Sequence, residues 1–124
     1  MTFEGLNSAL DRALTGHGYS ELTPVQAAVI EAEAKGRDLI VSAQTGSGKT
    51  VAFGLAISDE LLGEDGVLPK AGAPLALVIA PTRELALQVS RELEWLYAET
   101  GARIATCVGG MDPMRERRTL NFGA

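Results

Sequence analysis

The sequence predicts an α/β domain with a parallel sheet flanked by helices. Three short apolar runs, at residues 38–42, 75–80 and 103–108, have the length and make-up of strands buried on both faces. Longer segments with apolar residues at helical spacing separate them, and a glycine-rich stretch joins the first run to the helix after it. Strand, helix, strand, helix, strand at this spacing implies parallel pairing with right-handed crossovers.

Each element has its own signal. Leu6, Leu10, Ala13 and Leu14 recur at helical spacing, and Gly16 and Gly18 end that first helix. Thr23 is placed as an N-cap with Pro24 at the first helical position, so a second helix runs to about Lys35, where Gly36 fits its C-terminal cap. A third helix is expected from about Gly48 to Leu62. The Gly- and Pro-rich stretch 63–74 reads as a surface loop. A long helix is expected over residues 83–99, stopped at Gly101, and Asp112-Pro113 starts a last short one.

Composition sets limits on function. The chain has 124 residues, 46% apolar and 22% charged, ordinary for a single globular α/β domain. Its net charge of −5 offers no bulk attraction to nucleic acid, so any such contact needs a local patch. Cys107 is the single cysteine, which precludes an intrachain disulfide and fits a cytoplasmic location. No window is long and apolar enough for a membrane span, and Met1–Gly5 lacks the opening of a signal peptide. His17 and Cys107 have no partners at the spacing of a zinc site.

The chemistry concentrates at the first strand–helix junction. Ala43-Gln44-Thr45-Gly46-Ser47-Gly48-Lys49-Thr50 matches the phosphate-binding P-loop, with Ala in place of its first Gly. The glycines let successive backbone N–H groups converge on a phosphate, and the helix start adds partial positive charge. Lys49 is placed to reach the β- and γ-phosphates of ATP, and the Thr50 hydroxyl to hold Mg²⁺. A P-loop alone leaves small-molecule kinases, GTPases and helicases open.

Three further segments narrow that choice: Gly18-Tyr19-Ser20-Glu21-Leu22-Thr23-Pro24-Val25-Gln26, Pro81-Thr82-Arg83-Glu84-Leu85-Ala86, and Gly109-Gly110. With the P-loop, in this order and spacing, they closely resemble the N-terminal RecA-like domain of the DEAD-box ATP-dependent RNA helicases. They correspond to that family's Q motif, motif Ia and GG motif, and the resemblance covers the chain from Phe3 onward. It implies a RecA-like P-loop fold, truncated, over residues 1–124, with ATP and Mg²⁺ as cofactors and RNA as partner.

Several residues carry two readings. Thr23-Pro24-Val25-Gln26 is a good capping box from its spacing. The resemblance instead implies that Gln26 reads the adenine edge with its amide and that Tyr19 stacks on the adenine ring. Phe3 reads as core packing. Leu22 stands where the family commonly has Pro, which touches no chemical group. Thr82 and Glu84 could serve only the start of their helix, as N-cap and first-turn charge. The resemblance implies that Pro81, Thr82, Arg83 and Glu84 meet the RNA backbone. Gly109-Gly110 could be a plain turn; in the family, bare backbone there lets RNA approach. Arg115, Arg117 and Arg118 read as a solvated helix face.

The sequence contains no Asp-Glu-Ala-Asp signature, the motif that organises Mg²⁺ and the attacking water in this family. The second RecA-like domain, which carries the family's arginine finger, has no counterpart either. The expectation is therefore an ATP-binding portion of an RNA helicase, inactive alone, with open edges and partly uncovered apolar faces at 38–42, so that it is unstable, self-associates or is completed by another chain. The alternative is a non-catalytic adenine-nucleotide-binding module, and a third reading is a different P-loop enzyme such as a small kinase.

Overall fold

The computed structural model describes residues 3–44, 46, 48–63, 65–69, 72–109, 112–121 and 123–124, with Ala32 described by its backbone only. Its helices are α1 (Ser8–Gly16), α2 (Pro24–Val29), α3 (Lys49–Ala56), α4 (Ser58–Leu61), α5 (Arg83–Leu96) and α6 (Pro113–Asn121), with a 3₁₀ turn at Ala32–Ala34. Local caps set most of their starts. The Asn7 side chain accepts from the Ala9 N–H at 3.0 Å, Thr82 from the Leu85 N–H at 3.1 Å, and Asp112 from the Met114 N–H at 3.0 Å.

The core is helix against helix. Leu10 and Leu14 of α1, Val51, Ala52 and Leu55 of α3, and Val89, Leu93 and Leu96 of α5 form one buried cluster. Phe3 joins it as expected from its sequence, and its N–H donates to the buried Asp11 carboxylate at 3.1 Å. Gly54 lets α3 approach α5 closely: a Cβ there would stand 2.8 Å from Leu96 Cδ2. At the same crossing the Tyr97 hydroxyl donates to the Gly54 carbonyl at 2.6 Å. Burial, and secondarily the Asp59 carboxylate, push that hydroxyl above the usual tyrosine range.

Three expected helices are shorter than their sequence signals. The helix predicted over 48–62 breaks at Ile57 into α3 and α4, where the Ser58 hydroxyl donates to the Leu55 carbonyl at 2.7 Å. The helix predicted to reach Lys35 stops at Val29 and continues only as the 3₁₀ turn. The long helix ends at Leu96 rather than Glu99. The α6 arginines 115, 117 and 118 are exposed, in keeping with a solvated face.

The expected parallel sheet is not shown. Among the described residues none is in a paired strand, although 38–42, 75–80 and 103–108 all lie within them. The segments keep a strand-like alternation without ladder partners. Leu77 and Ile79 are 82% and 85% exposed, while Val78 between them is 42% exposed. The physical reason is cover. Segments 75–80 and 102–109 line one cavity of about 670 Å³ with Val89, Leu93 and Tyr97 on its helical side, while Leu77 and Ile79 stay exposed. A strand buried on both faces needs helices on both sides and neighbours on both edges. Ile40 is likewise fully exposed.

Candidate nucleotide-binding site

The start of α3 is built differently from the other capped helices. Its N-cap is Gly48, in the left-handed region at φ 84°, with no side chain to bond the first amides. Helices α1, α2, α5 and α6 each give a first-turn amide a side-chain oxygen. Gly48 itself offers those amides no side-chain acceptor, which suits a helix start that receives a phosphate. Gly46 is also left-handed, at φ 85°, and a Cβ there would meet nothing within 4 Å, so space is open beside the loop. Lys49 is exposed and Thr50 half-buried, on adjacent positions of the first turn. Ala43 is half-buried and Gln44 exposed, whereas Thr45 and Ser47 lie outside the described residues.

Gln26 holds this loop from the side. It is fully buried, its Oε1 accepts from the Thr23 N–H at 3.0 Å, and Thr23 Oγ1 accepts from the Gln26 N–H at 3.4 Å. The capping box read from the spacing is therefore complete. The amide nitrogen does something the spacing did not reveal: Nε2 donates to the Gly48 carbonyl at 3.2 Å. One amide thus joins the α2 cap to the P-loop. These bonds use one donor hydrogen and one acceptor lone pair of the amide. Gly48 is required twice over, by its φ and because a Cβ would collide with Gln26 Nε2. Tyr19 is half-buried in the loop leading to α2.

The second group of expected residues lies elsewhere. Pro81, Thr82 and Arg83 at the start of α5 line the cavity that Gly109 also lines, so the structure brings the start of motif Ia and Gly109 to one cleft. None of the described P-loop residues lines that cleft. Thr82 serves as the N-cap of α5, and Glu84 is exposed in its first turn. Gly109 opens onto empty space, so no internal packing demands glycine there. Gly110 lies outside the described residues. No group of three His, Cys, Asp or Glu is gathered as a metal site among the described residues. Mg²⁺ there would rest on Thr50 and on oxygens of the nucleotide and water.

Comparison with known proteins decides the family. The DEAD/DEAH box helicase family model matches residues 23–123.

The chain belongs to the DEAD/DEAH box helicase family.

A DEAD-box ATP-dependent RNA helicase CshA of Geobacillus kaustophilus is 42% identical over 116 residues, spanning 94% of this chain and 24% of that protein. The mitochondrial DEAD-box ATP-dependent RNA helicase 9 of Arabidopsis thaliana is 40% identical over 121 residues, spanning 96% of this chain and 19% of that protein. The chain thus spans about a fifth to a quarter of the length of these relatives. Among solved structures, the RNA helicase Prp28 of Chaetomium thermophilum, bound to ADP, overlays with a TM-score of 0.82 at 35% identity, covering 98% of this chain and 30% of that one. The backbone course accordingly follows that of DEAD-box RecA-like domains, with no paired strand among the described residues.

Proposed function

We propose that this chain is the ATP-binding portion of an ATP-dependent RNA helicase, whose parent activity couples ATP hydrolysis to RNA duplex separation. The observation that carries this reading is the start of α3. Its N-cap is a left-handed glycine with no side-chain cap, followed by Lys49 and Thr50 and braced by the buried Gln26 amide. Residues 1–124 are read as one part of a RecA-like domain, with a second RecA-like domain as its partner.

Each site residue has a physical task in this reading. The α3 amides and Lys49 neutralise phosphate charge, and the Thr50 hydroxyl ligates Mg²⁺. Bound there, ATP would supply the phosphoanhydride whose hydrolysis drives the parent activity. Tyr19 offers a ring face to adenine, and the remaining donor and acceptor of Gln26 suit the adenine edge. Pro81, Thr82, Arg83 and Glu84 with Gly109 and Gly110 form an RNA-backbone contact, weak and indifferent to sequence because phosphate contacts carry no sequence information. The 124 residues alone hold no Asp-Glu-Ala-Asp carboxylates to position water, so alone they act as a nucleotide-binding module. A cytoplasmic location belongs to the same proposal.

Calorimetric titration of ADP into the wild type and Lys49→Ala tests the reading. Binding that weakens in the variant is expected; equal affinity in both would overturn it.

A further inference from the structure

Tyr19 is held by two other aromatic rings. His17 and Trp95 stack face to face, with ring centroids 3.8 Å apart and an interplanar angle of 0°. The Tyr19 ring leans on both, 5.9 Å from Trp95 at 34° and 6.3 Å from His17 at 33°. The backbone beneath is equally constrained. The Gly18 N–H donates to the Thr15 carbonyl at 3.1 Å and the Tyr19 N–H to the Leu14 carbonyl at 3.0 Å. With Gly18 left-handed at φ 93°, these two bonds make a Schellman cap on α1. The cap places the Tyr19 backbone, and Trp95, in the last turn of α5, lies against its ring. Tyr19 stays half-buried, so part of the residue remains accessible.

The geometry points to Trp95 as a positioning residue: stacked on His17, it sets the orientation of Tyr19 and through it the seat of the nucleotide base. This rests on the reading above, in which Tyr19 takes the base. Aromatic rings prefer a small set of offset or tilted arrangements, so a fixed Trp95 narrows the tilts open to Tyr19. A pre-oriented platform binds a base without first losing ring mobility. A simple clasp between α1 and α5 is a different role. The exposed Arg12–Glu99 ion pair at 2.8 Å also bridges the α1 side to the end of α5, and a clasp would affect stability alone.

The test uses the full chain with two probes, ADP and pyrophosphate, the second lacking a base. Trp95→Leu is expected to weaken ADP by about tenfold, the scale of one lost base–aromatic stack, and to leave pyrophosphate unchanged. Trp95→Phe is expected to restore most of the loss. Trp95 is the single tryptophan, so its emission is a second readout. ADP should shift it in the wild type and pyrophosphate should not. If Trp95→Leu fails to fold, the wild-type emission and the Trp95→Phe titration still decide. ADP affinity unchanged in a folded Trp95→Leu, with Tyr19→Leu impaired, overturns the positioning role alone. ADP affinity unchanged in Tyr19→Leu overturns the base-stacking reading and the positioning role with it. Equal weakening of ADP and pyrophosphate in Trp95→Leu, or a wild-type emission blind to ADP, also overturns it.

Discussion

The buried Gln26 amide donates to the Gly48 carbonyl at 3.2 Å while its oxygen accepts from the Thr23 N–H at 3.0 Å. The cap of α2 and the N-cap of α3 thereby share one side chain. A change at either end should be felt at the other.

Gly48→Ala should destabilise the chain by more than its backbone strain. A left-handed non-glycine residue costs about 1–2 kcal/mol, and the new Cβ adds a collision with Gln26 Nε2. Gln26→Ala removes the collision partner, so the pair should be less harmful together than the two single costs suggest. Thermal melts of the two single variants and the double variant measure this. Strict additivity would show that the amide does not press on the loop.

Gln26→Ala also separates the two readings of that residue. It leaves the Thr23 N–H and the Gly48 carbonyl without this partner, at a cost of about 1–3 kcal/mol each if they stay buried. If the amide reads adenine as well, the preference for ADP over GDP should fall in the same variant. Lower stability with an intact preference would assign Gln26 to capping and loop bracing only.

Tyr97 should give the chain an alkaline signature. Its buried hydroxyl, bonded to the Gly54 carbonyl, is held protonated beyond the usual tyrosine range. In the unfolded chain it ionises near its ordinary value of about 10. Its contribution is therefore complete below about pH 10 and is lost as pH rises further, because the unfolded state then releases a proton that the folded state keeps. Tyr97→Phe should be about 1 kcal/mol less stable at neutral pH and should lose less on alkaline titration. Parallel stability curves from pH 8 to pH 11 would contradict this.

The uncovered apolar segments should drive self-association. Leu77 and Ile79 place large side chains in solvent, at 82% and 85% exposure, next to backbone without ladder partners. Sedimentation velocity should show concentration-dependent oligomers that Ile79→Lys reduces. A monomer across the accessible concentrations, with or without that substitution, would refute it.

The isolated chain should bind nucleotide without hydrolysing it. Lys49 and Thr50 remain to hold the phosphates and metal, yet no Asp-Glu-Ala-Asp carboxylate stands in the sequence to orient water. An arginine finger alone is worth about 10³–10⁵ in rate in related enzymes. Phosphate release above background, abolished by Lys49→Ala, would count against this.

The features legible in the sequence were the local ones. Thr23 and Gln26 form their capping box, Thr82 caps α5 through the Leu85 amide, and Gly48 takes the left-handed turn that starts α3. Each reaches no further than one helical turn, so residue type and spacing determined it. The P-loop and family motifs were legible for a related reason: their chemistry is carried by short contiguous strings. Only the tertiary structure decided that the Gln26 amide would brace Gly48, that Trp95 would lie against Tyr19, and that Leu77 and Ile79 would stay uncovered. An apolar run states that a segment can be buried, but not what will bury it. Burial and ladder pairing depend on neighbours brought in from elsewhere, and among the described residues 75–80 belongs to no paired strand.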